Sequence, residues 1–166
     1  MTTLLTIILA TLIFGGRILY LFLKRRETMY LMPVEAGPTA DASEDFATPV
    51  RVGVGEMSIN ESLQYFIVRN DCMKPLHICS GDIVGVQLFN ENFTIDNVKQ
   101  GDILLIYIDD ARFHGHKIRV MDYADDEAFH TYYFVGKKPH NSSEPHAFHT
   151  IRGIVREINH PYNSVA

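Results

Sequence analysis

The chain has 166 residues, 46% of them hydrophobic and 21% charged, which suits one folded domain with a modest appendage and excludes a wholly disordered protein. Its formal net charge is −5 and its dense basic run is confined to Lys24-Arg25-Arg26, which argues against a domain that grips nucleic acid through phosphates. The two cysteines, Cys72 and Cys79, make neither a zinc site nor a disulfide framework by themselves and fit a reducing compartment.

Residues 3–23, TLLTIILATLIFGGRILYLFL, are almost wholly apolar. At helical rise they span roughly 30 Å, about the core of a bilayer. Arg17 is their one charge and stands where it can snorkel toward the headgroups. A cleavable signal peptide would carry its positive charge ahead of the apolar run, whereas here the basic cluster follows it. Residues 1–26 therefore read as a single-pass transmembrane helix with a basic flank, and the positive-inside rule puts residues 24–166 in the cytoplasm.

Residues 27–50 read as a linker, since the stretch PVEAGPTADASEDFATPV is rich in Pro, Ala, Gly, Ser and acids. From residue 51 the pattern changes. RVGVGEM, YFIVRN, DIVGVQLF, DILLIYID, HKIRVMDY, TYYFVGK and HTIRGIVREI are short β-branched or aromatic runs. Turn signals separate them at Ser80-Gly81-Asp82, Gln100-Gly101-Asp102, Asp109-Asp110 and Lys138-Pro139-His140-Asn141. With no convincing amphipathic helix and at most a helical turn at 58–64, residues 51–166 read as one mainly β domain.

Two of those strands begin on the same Gly-Asp-apolar pattern, Gly81-Asp82-Ile83-Val84 and Gly101-Asp102-Ile103-Leu104. Ahead of the first lies Asn70-Asp71-Cys72-Met73-Lys74-Pro75. The second runs on to Asp109-Asp110 and is followed by His116-Lys117-Ile118-Arg119, and Thr150-Ile151-Arg152-Gly153-Ile154-Val155 comes near the end. In this order the segments resemble the LexA/UmuD-like peptidase domain, a relative of the signal peptidases. The resemblance implies a fold of twisted antiparallel sheets and a Ser-Lys dyad, with Cys72 here in place of the nucleophilic serine and Lys117 as general base. It places the oxyanion-binding backbone at Asn70, Asp71 and Cys72, with Met73, Pro75, Gly81 and Asp82 as supporting motif positions. Asn70 stands where the family has glycine.

Self-cleaving members of that family cut an Ala-Gly or Cys-Gly bond upstream of the nucleophile. In this chain Ala36-Gly37 lies thirty-six residues before Cys72, and Pro38, with its fixed φ, follows directly. The resemblance also implies a homodimer and no cofactor.

A lysine with an ordinary pKa of about 10.4 acts as a base near neutrality only if its charged form is destabilised, and burial in an apolar site can do this. Lys117 alternates with Ile118 and Val120 as a half-buried strand position would. A thiol, more acidic than a hydroxyl, can instead sit as a thiolate beside an ammonium, which later protonates the leaving amine. Sulfur is also larger than oxygen, and near-attack geometry tolerates errors of only about 1 Å. The residues thus leave two readings of Cys72 open, an active nucleophile and a small buried hydrophobe in a degenerate site.

Cys79 reads as packing. His114 and His116 share a strand face without a third metal ligand at obvious spacing, and His140, His146 and His149 fall in a polar loop, so no metal site is assigned. Asn92 and Asn141 open glycosylation patterns that carry no meaning for a cytoplasmic domain.

Three functions compete. In the first, the membrane-anchored domain cuts its own linker, Cys72 attacking Ala36, and residues 37–166 go free. In the second, a catalytically silent cleft binds an extended peptide by strand addition as a membrane-tethered sensor. In the third, a signal-peptidase-like enzyme acts in trans on other chains, which needs the opposite topology.

Overall fold

The computed structural model describes residues 28–37, 48–53, 57–71, 73–109, 113–142 and 145–160. The apolar stretch 3–23, its basic flank and Cys72 lie outside the described residues. Among the described residues no helix is long and apolar enough to cross a membrane.

Among the described residues ten strands form: β1 (Thr28–Glu35), β2 (Val50–Gly53), β3 (Gln64–Arg69), β4 (Ile83–Leu88), β5 (Ile103–Asp109), β6 (His114–Ala124), β7 (Ala128–Val135), β8 (Lys138–Asn141), β9 (His146–Ala147) and β10 (Ile151–Asn159). Their order is β2-β1-β3-β4-β10-β5-β6-β7-β8, with β9 on β7. An additional β1–β6 pairing closes β1, β3, β4, β10, β5 and β6 into a six-stranded barrel. The fold is mainly β, as the apolar runs indicate.

Strands β3, β4 and β5 read as nearly continuous apolar runs because both of their faces are covered. Val34, Ala36, Phe66, Val68, Val84, Val86, Leu105, Ile118 and Val120 form the interior core, with Val155 of β10 against it. Met73 and Ile78, both fully buried, join this core from the loop after β3. The alternate residues face outward into two satellite cores. Leu31, Val52, Tyr65, Ile67 and Ile83 form one. Leu104, Ile106, Met121, Phe129, Ile151 and Ile154 form the other, under the β7–β9 extension. Between β4 and β10 the backbones approach so closely that a Cβ on Gly153 would collide with the Gln87 carbonyl oxygen and come within 2.9 Å of Leu88 Cα. Only glycine fits there.

The two Gly-Asp starts are one turn built twice. Gly81 and Gly101 take φ of 91° and 90°, conformations open to glycine. In each turn the aspartate accepts the N–H three residues back, Cys79 N to Asp82 Oδ2 at 2.7 Å and Lys99 N to Asp102 Oδ2 at 2.8 Å.

Three readings from composition change. Residues 28–35, inside the stretch read as linker, form β1, antiparallel to β2 and parallel to β3 and β6. Lys138–Asn141, read as a turn, is the edge strand β8. The turn falls two residues earlier at Gly136, whose φ is 62°, and an edge strand tolerates the missing N–H of Pro139. Residues 58–63 carry no helix. Asn60 makes a side-chain turn there, accepting the Ser62 N–H at 3.0 Å.

Candidate active site

On β6, Ile118 and Val120 point into the barrel, so Lys117 and Arg119 stand on its outer face. The parallel register of β1 on β6 sets Glu35 beside Lys117. Both charges are buried: the side chains of Lys117 and Glu35 are 6% and 0% exposed, and Lys117 Nζ lies 3.2 Å from Glu35 Oε2. Nζ also sits 4.1 Å from the centre of the Phe113 ring, a cation–π contact. Burial of Lys117, expected from its alternation, is present. The carboxylate beside it was not expected, and it favours the charged amine.

The end of β1 is held from two sides. The Ala36 N–H donates to Asn70 Oδ1 at 3.2 Å and to the Arg69 carbonyl at 3.3 Å. Arg119, itself buried, donates through Nη2 to the Gly37 carbonyl and through Nη1 to the Ile118 carbonyl at 2.8 Å. Ala36 is fully buried. The dipeptide Ala36-Gly37 is therefore not on a solvated tether. Ala36 packs into the barrel interior, and the dipeptide is fixed at the end of β1 between Asn70 and Arg119, directly after Glu35, the register partner of Lys117.

The loop that carries Cys72 is ordered on both flanks of that residue. Asn70 has φ of 62°, the left-handed region, so asparagine takes the conformation that glycine would and adds a side-chain acceptor for the Ala36 N–H. Asp71 Oδ1 accepts the Ser80 N–H at 2.8 Å. Met73 anchors in the barrel, and its carbonyl accepts the Leu76 N–H at 2.9 Å. Pro75 opens the 3₁₀ turn Lys74–Leu76. Asp82 is buried and, besides capping its own turn, pairs with His160 Nδ1 at 2.9 Å. Cys79 is a half-buried free thiol whose N–H caps the Gly81-Asp82 turn, consistent with a packing role.

His146 completes the polar side of the face. Burial first, then the Arg119 guanidinium and the Lys117 ammonium, push its imidazole down to about 4, so it is neutral near pH 7. His114 and His116 do not converge on a metal. His114 Nδ1 pairs with Asp109 Oδ1 at 2.8 Å, and the His116 ring packs on Phe66 and Tyr107. Burial, then Arg152 and His114, lower the His116 pKa. Among the described residues no group of three or more His, Cys, Asp or Glu is placed to hold a metal ion.

Of the site residues expected from sequence, the structure brings together Lys117, Asn70, Ala36 and Gly37. Glu35, Arg119 and Phe113 went unread, and His146 was noted only as part of a polar loop. Two signals pointed to the unread charges: an acid inside the otherwise apolar Leu31–Ala36 run, and a second cation two residues after Lys117 on the same strand face. No family model matches this chain, and a search of curated proteins finds no match.

Proposed function

We propose that the domain is a self-cleaving peptidase that cuts its own Ala36–Gly37 bond with a Cys72/Lys117 dyad, behind an N-terminal membrane anchor at residues 3–23. The observation that carries this reading is the seating of Ala36-Gly37 beside buried Lys117, held by Asn70 on one side and Arg119 on the other. Positioning of this kind replaces a bimolecular encounter with an intramolecular one. In the reaction, Cys72 Sγ attacks the Ala36 carbonyl carbon while the loop around residues 70–72 supplies N–H donors to the oxyanion. The C–N bond breaks, Lys117 protonates the Gly37 amine, and a thioester joins Cys72 to Ala36. Water then hydrolyses the thioester and restores the thiol. A cysteine suits a lysine that rests charged, because a thiolate–ammonium pair needs no neutral amine beforehand.

The LexA-like assignment belongs to the same proposal. It rests on the two Gly-Asp turns, on glycine-like Asn70 and on the neighbourhood of Lys117 and Ala36-Gly37. The alternative of a silent peptide-holding module draws on one observation, the Glu35 carboxylate paired to Lys117, which is what an inactive cleft would also contain.

A denaturing gel separates the two. Self-cleavage gives a shorter band whose N-terminus is Gly37, and that band is absent in Cys72→Ala. A single full-length band from both chains at every pH would sink the peptidase reading.

A further inference from the structure

A cut at Ala36–Gly37 is expected to release a tethered domain only if everything before the cut is tether. The barrel says otherwise. Strand β1 lies on the anchor side of the bond, and each of its residues has a register partner on β2 or β3: Thr28 to Leu31 opposite Gly53 to Val50, and Met32 to Glu35 opposite Phe66 to Arg69. Val34 and Glu35 also pair with His116 and Lys117 of β6. Remove β1 and the six-stranded barrel opens between β3 and β6, exposing Phe66, Val68 and Ile118 that it now covers together with Val34 and Ala36.

We infer that cleavage nicks this domain without releasing it. The statement rests on the self-cleavage reading for its trigger, and on the strand pairing for its content. Residues 1–36 stay bound as a strand ligand in the slot between β3 and β6, and residues 37–166 stay at the membrane through them. The slot takes an extended peptide in which Leu31, Val34 and Ala36 bury apolar surface, an acid meets Lys117, and a small residue ends the segment. The new Ala36 carboxylate forms at the end of the strand where Arg119 and Lys117 both stand, so charge favours the cut product over its departure. The enzyme is then a single-turnover device inhibited by its own product. Release requires a second event that extracts the strand.

The test uses the full chain with an affinity tag ahead of Met1, in mild detergent. After self-cleavage, the 37–166 fragment is captured with the tagged 1–36 fragment in native buffer, and is lost from the resin in concentrated denaturant. Its appearance in the native flow-through overturns the inference. A second arm takes the Cys72→Ala chain with the site of a sequence-specific protease in place of residues 40–45. Cutting there divides the strands in the same way, with β1 on one side and β2–β10 on the other, and needs no dyad. Retention in this arm upholds the slot even if the Cys72 chain never cuts itself, in which case only the peptidase reading fails. Loss of the fragment in this arm overturns the slot whether or not self-cleavage occurs.

Discussion

On strand β6, His114 and Lys117, three residues apart, each meet a carboxylate. His114 and Asp109 meet at 2.8 Å with side chains 55% and 69% exposed, whereas Lys117 and Glu35 meet at 3.2 Å with 6% and 0% exposed. The shorter contact is the one that costs less to break. In water the attraction is screened and the side chains give up freedom to hold it, so an exposed pair contributes about 0–1 kcal/mol. In a buried site each charge has lost its water, and the partner becomes obligatory. Distance alone would have ranked the two pairs the wrong way round.

The sharpest way to break that contrast is Lys117→Ala in a Cys72→Ala background, which stays uncut. Glu35 is then left buried without its amine, and urea unfolding should show a loss of about 3–5 kcal/mol. Adding Glu35→Leu should restore most of it, and no recovery would argue that packing rather than charge was lost. Glu35→Gln in the otherwise natural chain should speed the appearance of the Gly37 fragment. On the self-cleavage reading the carboxylate competes with the Cys72 thiolate for the Lys117 ammonium, so its removal should raise the rate read from a gel time course. An unchanged rate would mean that Glu35 does not hold back the dyad.

Asn70→Ala should destabilise by about 1 kcal/mol and slow cleavage, since alanine resists a positive φ and cannot accept the Ala36 N–H. Asn70→Gly should keep the stability and show only the slower cleavage. For His146 the folded pKa of about 4 lies below the ordinary 6.5, so the unfolded chain binds the extra proton between these values. Stability should therefore be full above about pH 6.5 and decline down to about pH 4. A series of thermal melts should show that slope flattened in His146→Phe. The smallest effect belongs to the exposed pair: Asp109→Asn should move the unfolding midpoint by an amount equivalent to about 0.5 kcal/mol or less.

The same burial explains what was legible in the sequence. The runs of β3, β4 and β5 could be seen because two covered faces leave no room for polar alternation, and both Gly-Asp turns declared themselves through a glycine that must take positive φ. β1 was hidden by its own chemistry. Pro33 and Glu35 are linker residues by composition, and only the parallel pairing to β3 and β6, set by contacts across the fold, makes them a strand. Lys117 stood out through its place in the resembling segment His116-Lys117-Ile118-Arg119, and the apolar residues beside it on that strand fit its burial. Glu35 showed only as an acid inside an apolar run, because its partner lies 82 residues away in sequence and an acid among Pro, Ala and Gly ordinarily means water.

The close approach at Gly153 has its own consequence for how the barrel can change. β10 stands across the ring from β1, and at Gly153 it is locked against β4 with no room for even a methyl group. The ring thus has a tight back and, opposite it, one stave fastened by strand pairing, burial and the Glu35–Lys117 contact. Any force that pulls on the chain ahead of Thr28 acts on that stave first, at its pairings with β3 and β6, while β4 and β10 lie on the far side of the ring.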